Sequence, residues 1–542
     1  MSTVAFFLCF RHKVCRCRKG MVIGMEICLK QTKRKYIQYL LFCLFAVLFC
    51  ACGKAEMEQQ ESVTPTVIMT PTVMPILSLT EQPAATPVLL PTELPNATPT
   101  LSPTELPTAT PVVTDPYDGR FWTGRFAEDK AVLMTKEEIQ EQNGKNYRAS
   151  GTKLVKLGEV TKYSVAEVIA MIEDYSLPSR KYYDNREISS SDKEALLQAR
   201  NLSALRARAS QDIEPEYGIL VENTNLRSFP SDKRLTSQVQ GRFDYLQETR
   251  LLITEPVLVL HRSPDGAWCF VQAENYCGWI KDTAIAYCTK EELCAVAAAM
   301  ADVEGEQIAI VTKNGKFRIG EQEVYFRMGT RLLRSDANQC DEESVTFRLP
   351  YREENSSLAW ETVSVKRIDA DGELCFTIGY LPYTRANVIR LAVRLLDAPY
   401  AWGDAPSFGA DAAEVGDNGM DCSSTVSAIF RCFGFVLPRN TGTQRKMECE
   451  KQELSALGTK ERQEVLDSLQ GGELLYTSGH VMLYLGQADG VDYVLHNTST
   501  EARDDGGTDA FYRCVITTMG LGKTGQTIKE RLIQMNALFP ID

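Results

Sequence analysis

The 542-residue sequence predicts a multidomain protein with a mixed α+β domain at the C-terminus, preceded by one or two small β-barrels and a helical region. Three observations predict this order. The chain is several times longer than a typical domain of roughly 100–200 residues. A proline-rich stretch closes its N-terminal part. Beyond that stretch, the spacing of apolar residues changes from helical to alternating, and finally to a mixture of both.

Composition narrows the function classes. Apolar residues make up 44% of the chain and charged residues 24%, which excludes wholesale disorder and a polytopic membrane protein. The formal charge of −12 argues against a nucleic-acid partner. The chain has only four histidines, and its ten cysteines beyond residue 52 form no CxxC pair, so we expect neither a metal site nor another cofactor.

Residues 1–51 are predicted to be an export signal, with Met25 as the alternative start. Basic residues at positions 30–35 precede an apolar run over 40–51 that is too short to span a membrane as a helix. The run ends in Phe-Cys-Ala-Cys-Gly, which resembles a lipobox with Cys52 as the lipidated residue. We therefore expect an extracytoplasmic lipoprotein, anchored to the membrane at the cell envelope. An uncleaved anchor is the alternative.

Residues 52–116 are predicted to form a stalk after the lipidated cysteine. The part from Ser62 to Pro116 holds 12 of the 23 prolines and no lysine or arginine. Such a segment cannot bury a core and favours extended polyproline II.

The middle of the chain is divided by periodicity into three regions. Residues 117–207 read as helices, one of them opened by a capping-box pattern at Thr135. Residues 208–290 read as short strands joined by turns, typical of a small barrel. Residues 291–385 repeat the strand-rich character and are predicted to be a second barrel.

Residues 386–542 carry the chemistry. Asp421-Cys-Ser-Ser precedes apolar positions spaced for one face of a helix, so Cys422 is predicted to begin that helix. The unpaired N–H groups at a helix N-terminus favour a thiolate. The polar neighbours of Cys422 fit a helix cap better than they fit a core.

Two histidines are predicted to lie close together on a hairpin. If the turn centres on Ala488, His480 and His496 are equidistant from it and face each other. One imidazole could then take the proton of Cys422 while the other orients it. A zinc site at the same three residues is an alternative.

Five ordered motifs in this region resemble the NlpC/P60 cysteine peptidases. They are Pro399-Tyr-Ala-Trp-Gly, Asp421-Cys-Ser-Ser, Leu437-Pro-Arg-Asn-Thr-Gly-Thr-Gln, Gly479-His-Val-Met-Leu-Tyr-Leu-Gly and Val494-Leu-His. The resemblance implies a papain-like α+β domain that hydrolyses peptidoglycan stem peptides, typically at the γ-D-glutamyl–diamino acid bond. It assigns Cys422 as nucleophile, His480 as general base and acid, and His496 as the orienting residue. A wall-binding lipoprotein without catalytic activity is the remaining alternative, and we expect a monomer.

The barrel sequences resemble bacterial SH3-type domains, through Asn225-Leu-Arg-Ser-Phe-Pro-Ser, Phe243-Asp-Tyr-Leu-Gln-Glu-Thr and Tyr276-Cys-Gly-Trp-Ile. In related enzymes such a domain narrows the cleft, so that only stems with a free amino end fit. The resemblance implies substrate-binding roles for Tyr276, Tyr400, Ser423, Arg439, Asn440 and Thr441.

One of these positions departs from the family pattern, because amine-selective members carry an aspartate where Asn440 stands. Asp244 or Glu248 of the barrel could supply the missing charge. Whether the substrate is a free peptide or the intact, sugar-linked wall stays open at this point.

Overall fold

The computed structural model describes residues 113–149, 151–335, 343–405, 419–502, 508–523 and 526–540. All of them belong to one compact unit, Glu105–Asp542. The predicted export signal, Cys52 and the stalk up to residue 112 lie outside the described residues. Within the described ranges, no helix is both long and apolar enough to cross a membrane.

Within the described residues, five α-helices precede the first barrel, and they divide between two cores. They span Gly119–Arg125, Lys136–Arg148, Val165–Glu173, Ser190–Ala199 and Leu202–Arg206. Trp122 and Ile139, from the first two helices, pack into the core of the C-terminal domain, whereas Val168 and Leu205 pack against the first barrel. Thr135 caps its helix through the predicted capping box, since its side chain accepts from the backbone N–H of Glu138.

The first barrel is a seven-stranded antiparallel sheet whose core centres on Phe270 and Trp279. In spatial order its strands are Ile285–Cys288, Glu216–Leu220, Pro256–Arg262, Trp268–Gln272, Cys277–Lys281, Thr224–Arg227 and Gln247–Leu251. The central strands are buried on both faces, since every residue of Trp268–Gln272 is buried. Short strands flank it at Tyr163–Ser164, Tyr182–Tyr183, Arg186–Glu187, Asp212–Ile213 and Leu235–Thr236.

A helix, Lys290–Ala301, leads to a second strand-rich region. Here a five-stranded antiparallel sheet has the spatial order Leu358–Lys366, Ser344–Arg352, Arg331–Arg334, Ile308–Val311 and Phe376–Ile378. A separate hairpin pairs Gly315–Ile319 with Gln322–Phe326. The assignment of this region as a second SH3-type domain stays a prediction.

The C-terminal domain packs helices against an antiparallel sheet, which confirms the predicted α+β class. Its helices are Arg385–Val393, Cys422–Arg431, Thr441–Gln444, Thr459–Ser468 and Ile528–Arg531. Its strands are Glu450–Glu453, Leu474–Thr477, His480–Ala488, Val491–Ala502, Thr508–Thr518, Gly522–Lys523, Gln526–Thr527 and Gln534–Ala537. Three adjacent strands, beginning at His480, Val491 and Thr508, carry the residues of interest at the site.

Candidate active site

Cys422 is the first residue of the helix Cys422–Arg431. Asp421 is the N-cap: its carboxylate accepts from the backbone N–H of Ser424, and the Ser424 hydroxyl accepts from the N–H of Asp421 in return. Further along the helix, Ile429 and Phe430 are buried in the domain core. Core packing and a polar cap therefore hold Cys422 at the helix N-terminus, where the sequence predicts it.

The thiol of Cys422 is 8% exposed and hydrogen-bonded at its sulfur. Its Sγ lies 3.5 Å from the Thr441 hydroxyl. Burial and the Asp421 carboxylate raise the pKa of Cys422 to about 11, although the Thr441 hydroxyl and the Val481 backbone N–H lower it. The helix N-terminus thus does not by itself provide a standing thiolate, and a neighbouring base has to remove the proton.

His480 and His496 are in direct contact, with Nε2 of His480 2.8 Å from Nδ1 of His496. The second ring nitrogen of His496, Nε2, lies 3.0 Å from the hydroxyl of Thr517. His480 immediately precedes Val481, whose backbone N–H is bonded to the Cys422 sulfur. The structure therefore brings the nucleophile candidate and both histidines to the same end of the sheet.

The register of the hairpin differs from the predicted one. Leu483 pairs with Leu495, so His480 is two residues out of register with His496 and lies diagonal to it, on the same face. The turn is Asp489-Gly490, both with positive φ, rather than a loop centred on Ala488. A bulge between Tyr484 and Gly486 then changes the pairing by one residue, which returns the two histidines to the same face, and no pattern of apolar residues reveals such a bulge.

A buried ion pair supports the helix that carries Cys422. Arg439 donates to both carboxylate oxygens of Asp421, at 3.1 and 2.7 Å, and to the Ser423 hydroxyl at 2.7 Å. Although burial opposes ionisation, Arg439 and the backbone N–H of Ser424 hold the pKa of Asp421 below its usual value. The side chains of Arg439 and Ser423 are thereby used to position the helix, and substrate contact by either stays a prediction.

Asp404 extends this pair and was missed by the sequence analysis. Its Oδ1 accepts from the Asp421 backbone N–H at 2.9 Å and from the Ser424 hydroxyl at 2.5 Å. Its Oδ2 lies 3.3 Å from Arg439 and 3.7 Å from Arg327 of the second strand-rich region. The only signal for Asp404 was its place directly after the Pro-Tyr-Ala-Trp-Gly motif.

The first barrel is hydrogen-bonded to Arg439 and to Gly403, the residue before Asp404. Arg439 Nε donates to the hydroxyl of Thr249 on the barrel strand Gln247–Leu251 at 2.5 Å. Gln247 donates to the carbonyl of Gly403 at 3.1 Å. Gly403 has φ +60, and a Cβ there would lie 2.8 Å from the Gln247 carbonyl oxygen, so only glycine allows this approach.

Tyr276 and Asn440 meet where the barrel borders the C-terminal domain. The Asn440 amide donates to the Tyr276 hydroxyl at 3.1 Å, and that hydroxyl donates to Glu248 at 2.9 Å. Burial raises the pKa of Glu248, despite the opposing hydrogen bond from Tyr276 and the charge of Lys153. The Tyr276 hydroxyl therefore links the Glu248 carboxyl group to Asn440.

Asp244, the other carboxylate considered from sequence, has a structural role. It is 1% exposed, lies 2.8 Å from Arg227, and accepts from the backbone N–H groups of Leu235 and Leu246. These contacts are all within the barrel region, so Asp244 is not available at the site.

Tyr400 packs against the first barrel. Its ring centroid is 5.8 Å from that of Phe243, and Phe243 also contacts Trp402, which is 44% exposed. The charge of Cys422 contributes to the raised pKa of Tyr400, after the larger effect of burial. Substrate contact by Tyr400 stays a prediction.

Comparisons with known proteins agree with the motifs. Residues 397–512 match the model of the NlpC/P60 family, and residues 236–281 match that of an SH3 domain of the SH3b1 type. Dipeptidyl-peptidase 6 of Lysinibacillus sphaericus is 30% identical over 103 residues, which is 19% of this chain and 30% of that relative. The chain therefore spans less than a third of the length of this curated relative.

One solved structure has a similar fold. An NlpC/P60 endopeptidase from Photobacterium damselae subsp. piscicida superposes with a TM-score of 0.59 at 15% identity, covering 79% of this chain and 98% of that one. An NlpC/P60 family protein from Bacillus cereus ATCC 10987 has a TM-score of 0.40 at 18% identity, covering 60% of this chain and 100% of that one.

Proposed function

Because the chain is an NlpC/P60 family protein with an SH3b domain, we propose that it is a cysteine endopeptidase of the cell wall. Its substrate is the stem peptide of peptidoglycan, cut at the γ-D-glutamyl–diamino acid bond. The observation that carries the proposal is the 2.8 Å contact between His480 and His496, beside the buried thiol of Cys422 at a helix N-terminus.

The reaction follows from the protonation states of these groups. The Cys422 thiol is neutral near pH 7, since its pKa is about 11, so its proton passes to His480 as the sulfur attacks the scissile carbonyl. The imidazolium formed on His480 is stabilised by Nδ1 of His496, to which its Nε2–H donates. His480 then protonates the leaving amine, and water hydrolyses the thioester with His480 again as base.

The oxyanion formed in both steps needs donors close to the sulfur. The backbone N–H of Cys422 lies at the first helical position, where no intrahelical partner is available. We assign it as one donor of the oxyanion hole, together with a neighbouring N–H.

The amino end of the substrate is assigned to the Tyr276–Glu248–Asn440 group. The barrel contacts the C-terminal domain at this point through the hydrogen bond between Tyr276 and Asn440, and we infer that it narrows the cleft, so that a short peptide end fits better than a continuous chain. The neutral amide of Asn440 provides no negative charge to bind the ammonium group of the substrate. We assign that charge to the carboxylate of Glu248, which lies on the other side of Tyr276. Free stem peptides with an N-terminal L-alanine are therefore the proposed substrates, and intact wall is the competing one.

The zinc alternative is less well supported. The contact between the two imidazoles uses Nε2 of His480 and Nδ1 of His496, and the latter has Thr517 at its other nitrogen. Among the described residues, no group of three or more His, Cys, Asp or Glu side chains is arranged to hold a metal ion. We expect activity to survive treatment with a chelator.

Anchoring is part of the proposal. Cys52 carries a lipid that holds the protein at the outer face of the membrane. Metabolic labelling with a radioactive fatty acid tests this: the wild-type protein should be labelled and Cys52→Ser should not. Equal labelling of both would contradict it.

The catalytic assignment is tested by substitution. Cys422→Ala should abolish hydrolysis of stem peptides while leaving the thermal unfolding transition intact. Cys294→Ala, which removes a thiol from the helix Lys290–Ala301, is the matched control and should stay active. His496→Asn should leave partial activity, because an amide can still orient His480. Retained activity in Cys422→Ala would refute the mechanism.

A further inference from the structure

Thr517 lies behind the two histidines, in a row of side chains that crosses three adjacent strands. Val515 pairs with His496 and Thr517 pairs with Val494, so Thr517 is two positions along from His496 on the same face of the sheet. His480 is on the strand at the other side of His496. The row therefore runs His480, His496, Thr517, with contacts of 2.8 and 3.0 Å.

We propose that Thr517 is a positioning residue that holds His496 in the tautomer protonated at Nε2. This inference rests on the proposed cysteine peptidase mechanism and extends its triad by one residue.

The direction of each hydrogen bond follows from what His480 has to do. When His480 has taken the thiol proton, both of its ring nitrogens carry hydrogen, and its Nε2–H needs an acceptor. Nδ1 of His496 is at 2.8 Å and can accept only if it carries no hydrogen. His496, being neutral, must then carry its hydrogen on Nε2.

That hydrogen points at Thr517. Nε2 of His496 is 3.0 Å from the Thr517 hydroxyl oxygen, and both residues are almost completely buried, at 1% and 2% exposure. A buried N–H without an acceptor is strongly disfavoured. A threonine hydroxyl can donate or accept, and here it must accept for the histidine pair to stabilise an imidazolium.

Replacing the hydroxyl by a methyl group removes this preference. In Thr517→Val the shape is nearly unchanged, but His496 gains by moving its hydrogen to Nδ1, where it opposes the Nε2–H of protonated His480. Polar partners of metal-bound histidines typically contribute about 10–100-fold to activity, and we expect the partner of this histidine pair to act within the same range. We expect kcat to fall by about that factor, with KM little changed, since Thr517 is buried behind His496.

The tautomer can be read directly, because the chain has only four histidines. The full-length protein, labelled with ¹⁵N-histidine, would give four sets of two-bond nitrogen–hydrogen correlations, assigned by His480→Gln and His496→Asn. Wild type should show His496 protonated at Nε2, Thr517→Val should shift it toward Nδ1, and Thr517→Ser should restore the wild-type pattern and kcat. Thr518→Val, the neighbouring residue on the other face of the strand, is the matched control.

The rate of Cys422 alkylation by iodoacetamide adds a readout that needs no peptide substrate, and it should fall in Thr517→Val but not in Thr517→Ser. If the wild-type protein hydrolyses no stem peptide, the proposed function fails. The tautomer and alkylation measurements would still test whether Thr517 positions His496. A wild-type His496 protonated at Nδ1, or a folded Thr517→Val with unchanged kcat and alkylation, would overturn the inference.

Discussion

At the scale of single residues, the chemistry depends on a buried thiol that its surroundings keep protonated. Burial and Asp421 together outweigh the donors at Thr441 and Val481, so the pKa of Cys422 is raised to about 11. A helix N-terminus lowers the pKa of an exposed thiol, but here removal from water dominates. Deprotonation is therefore coupled to attack, and the histidine pair has to be correctly arranged before the substrate arrives.

The pH dependence of alkylation follows from this. Between pH 7 and 9 the rate of Cys422 modification by iodoacetamide in the free enzyme should rise about tenfold per pH unit, because the thiolate fraction rises in that proportion below the pKa. Mass spectrometry of the modified peptide measures this rate. A rate that is constant between pH 5 and 8 would mean a preformed thiolate–imidazolium pair instead.

Glu248 is expected to select substrates rather than to catalyse. Glu248→Gln should raise KM for a free stem peptide by about 10-fold or more, since a charge-assisted hydrogen bond to an ammonium contributes about 1.5–3 kcal/mol. It should leave kcat nearly unchanged. Glu222→Gln, an exposed carboxylate of the same barrel, is the control. An unchanged KM would show that the amino end binds elsewhere.

At the scale of elements, the position of Cys422 depends on the cap of its helix. Asp421 accepts from the first turn, Arg439 neutralises Asp421, and Asp404 binds the backbone N–H of Asp421 from a separate segment. Breaking a buried ion pair on one side typically costs about 3–5 kcal/mol. The helix N-terminus is thus held by charge as well as by core packing.

Acid should weaken this cap. The pKa of Asp421 is lowered in the folded state, so its contribution to stability is present above the unfolded pKa near 3.9 and is lost as pH falls through the folded value. Asp421→Asn should lower the free energy of unfolding, measured by urea denaturation at pH 7, by about 3–5 kcal/mol. The difference should shrink below about pH 4. A gap that stays constant with pH would contradict the ion-pair account.

Elements were easier to predict than their register. The helix beginning at Cys422 and the strands with His480 and His496 follow from local patterns of apolar residues. The diagonal relation of the histidines does not, because it depends on the bulge at Gly486 and on the positive φ angles of Asp489 and Gly490. Asp404, Arg327 and Thr517 were missed because their roles arise from contacts between distant segments.

At the scale of the whole molecule, the N-terminal helices complete the core of the C-terminal domain. Trp122 is fully buried there, and its indole N–H donates to the Pro116 carbonyl at 2.7 Å. Asn143 exchanges hydrogen bonds with the Gly434 carbonyl and the Val436 N–H, just after the Cys422 helix. The capping-box pattern at Thr135 predicted the second of these helices, but it could not indicate which core that helix joins, because an apolar helix face can pack against more than one neighbour.

Loss of Trp122 should therefore affect a domain that begins more than 250 residues later. Trp122→Ala should lower the free energy of unfolding by about 3–5 kcal/mol, as expected for a large buried aromatic side chain. Denaturant unfolding and an activity assay of the same variant should show that stability and hydrolytic activity fall together. Tyr117→Ala, which removes a 56% exposed aromatic from the same segment, should have a small effect. An equally stable Trp122→Ala would mean that the helices are a dispensable attachment.

The most direct test of the central claim is to incubate the enzyme with free L-Ala-γ-D-Glu-diaminopimelate and, separately, with intact peptidoglycan, and to follow the products by mass spectrometry. We predict release of L-Ala-γ-D-Glu from the free peptide by wild type, little release from intact wall, and none by Cys422→Ala. Absence of cleavage of both substrates by a folded wild-type enzyme would contradict the account and favour a wall-binding protein.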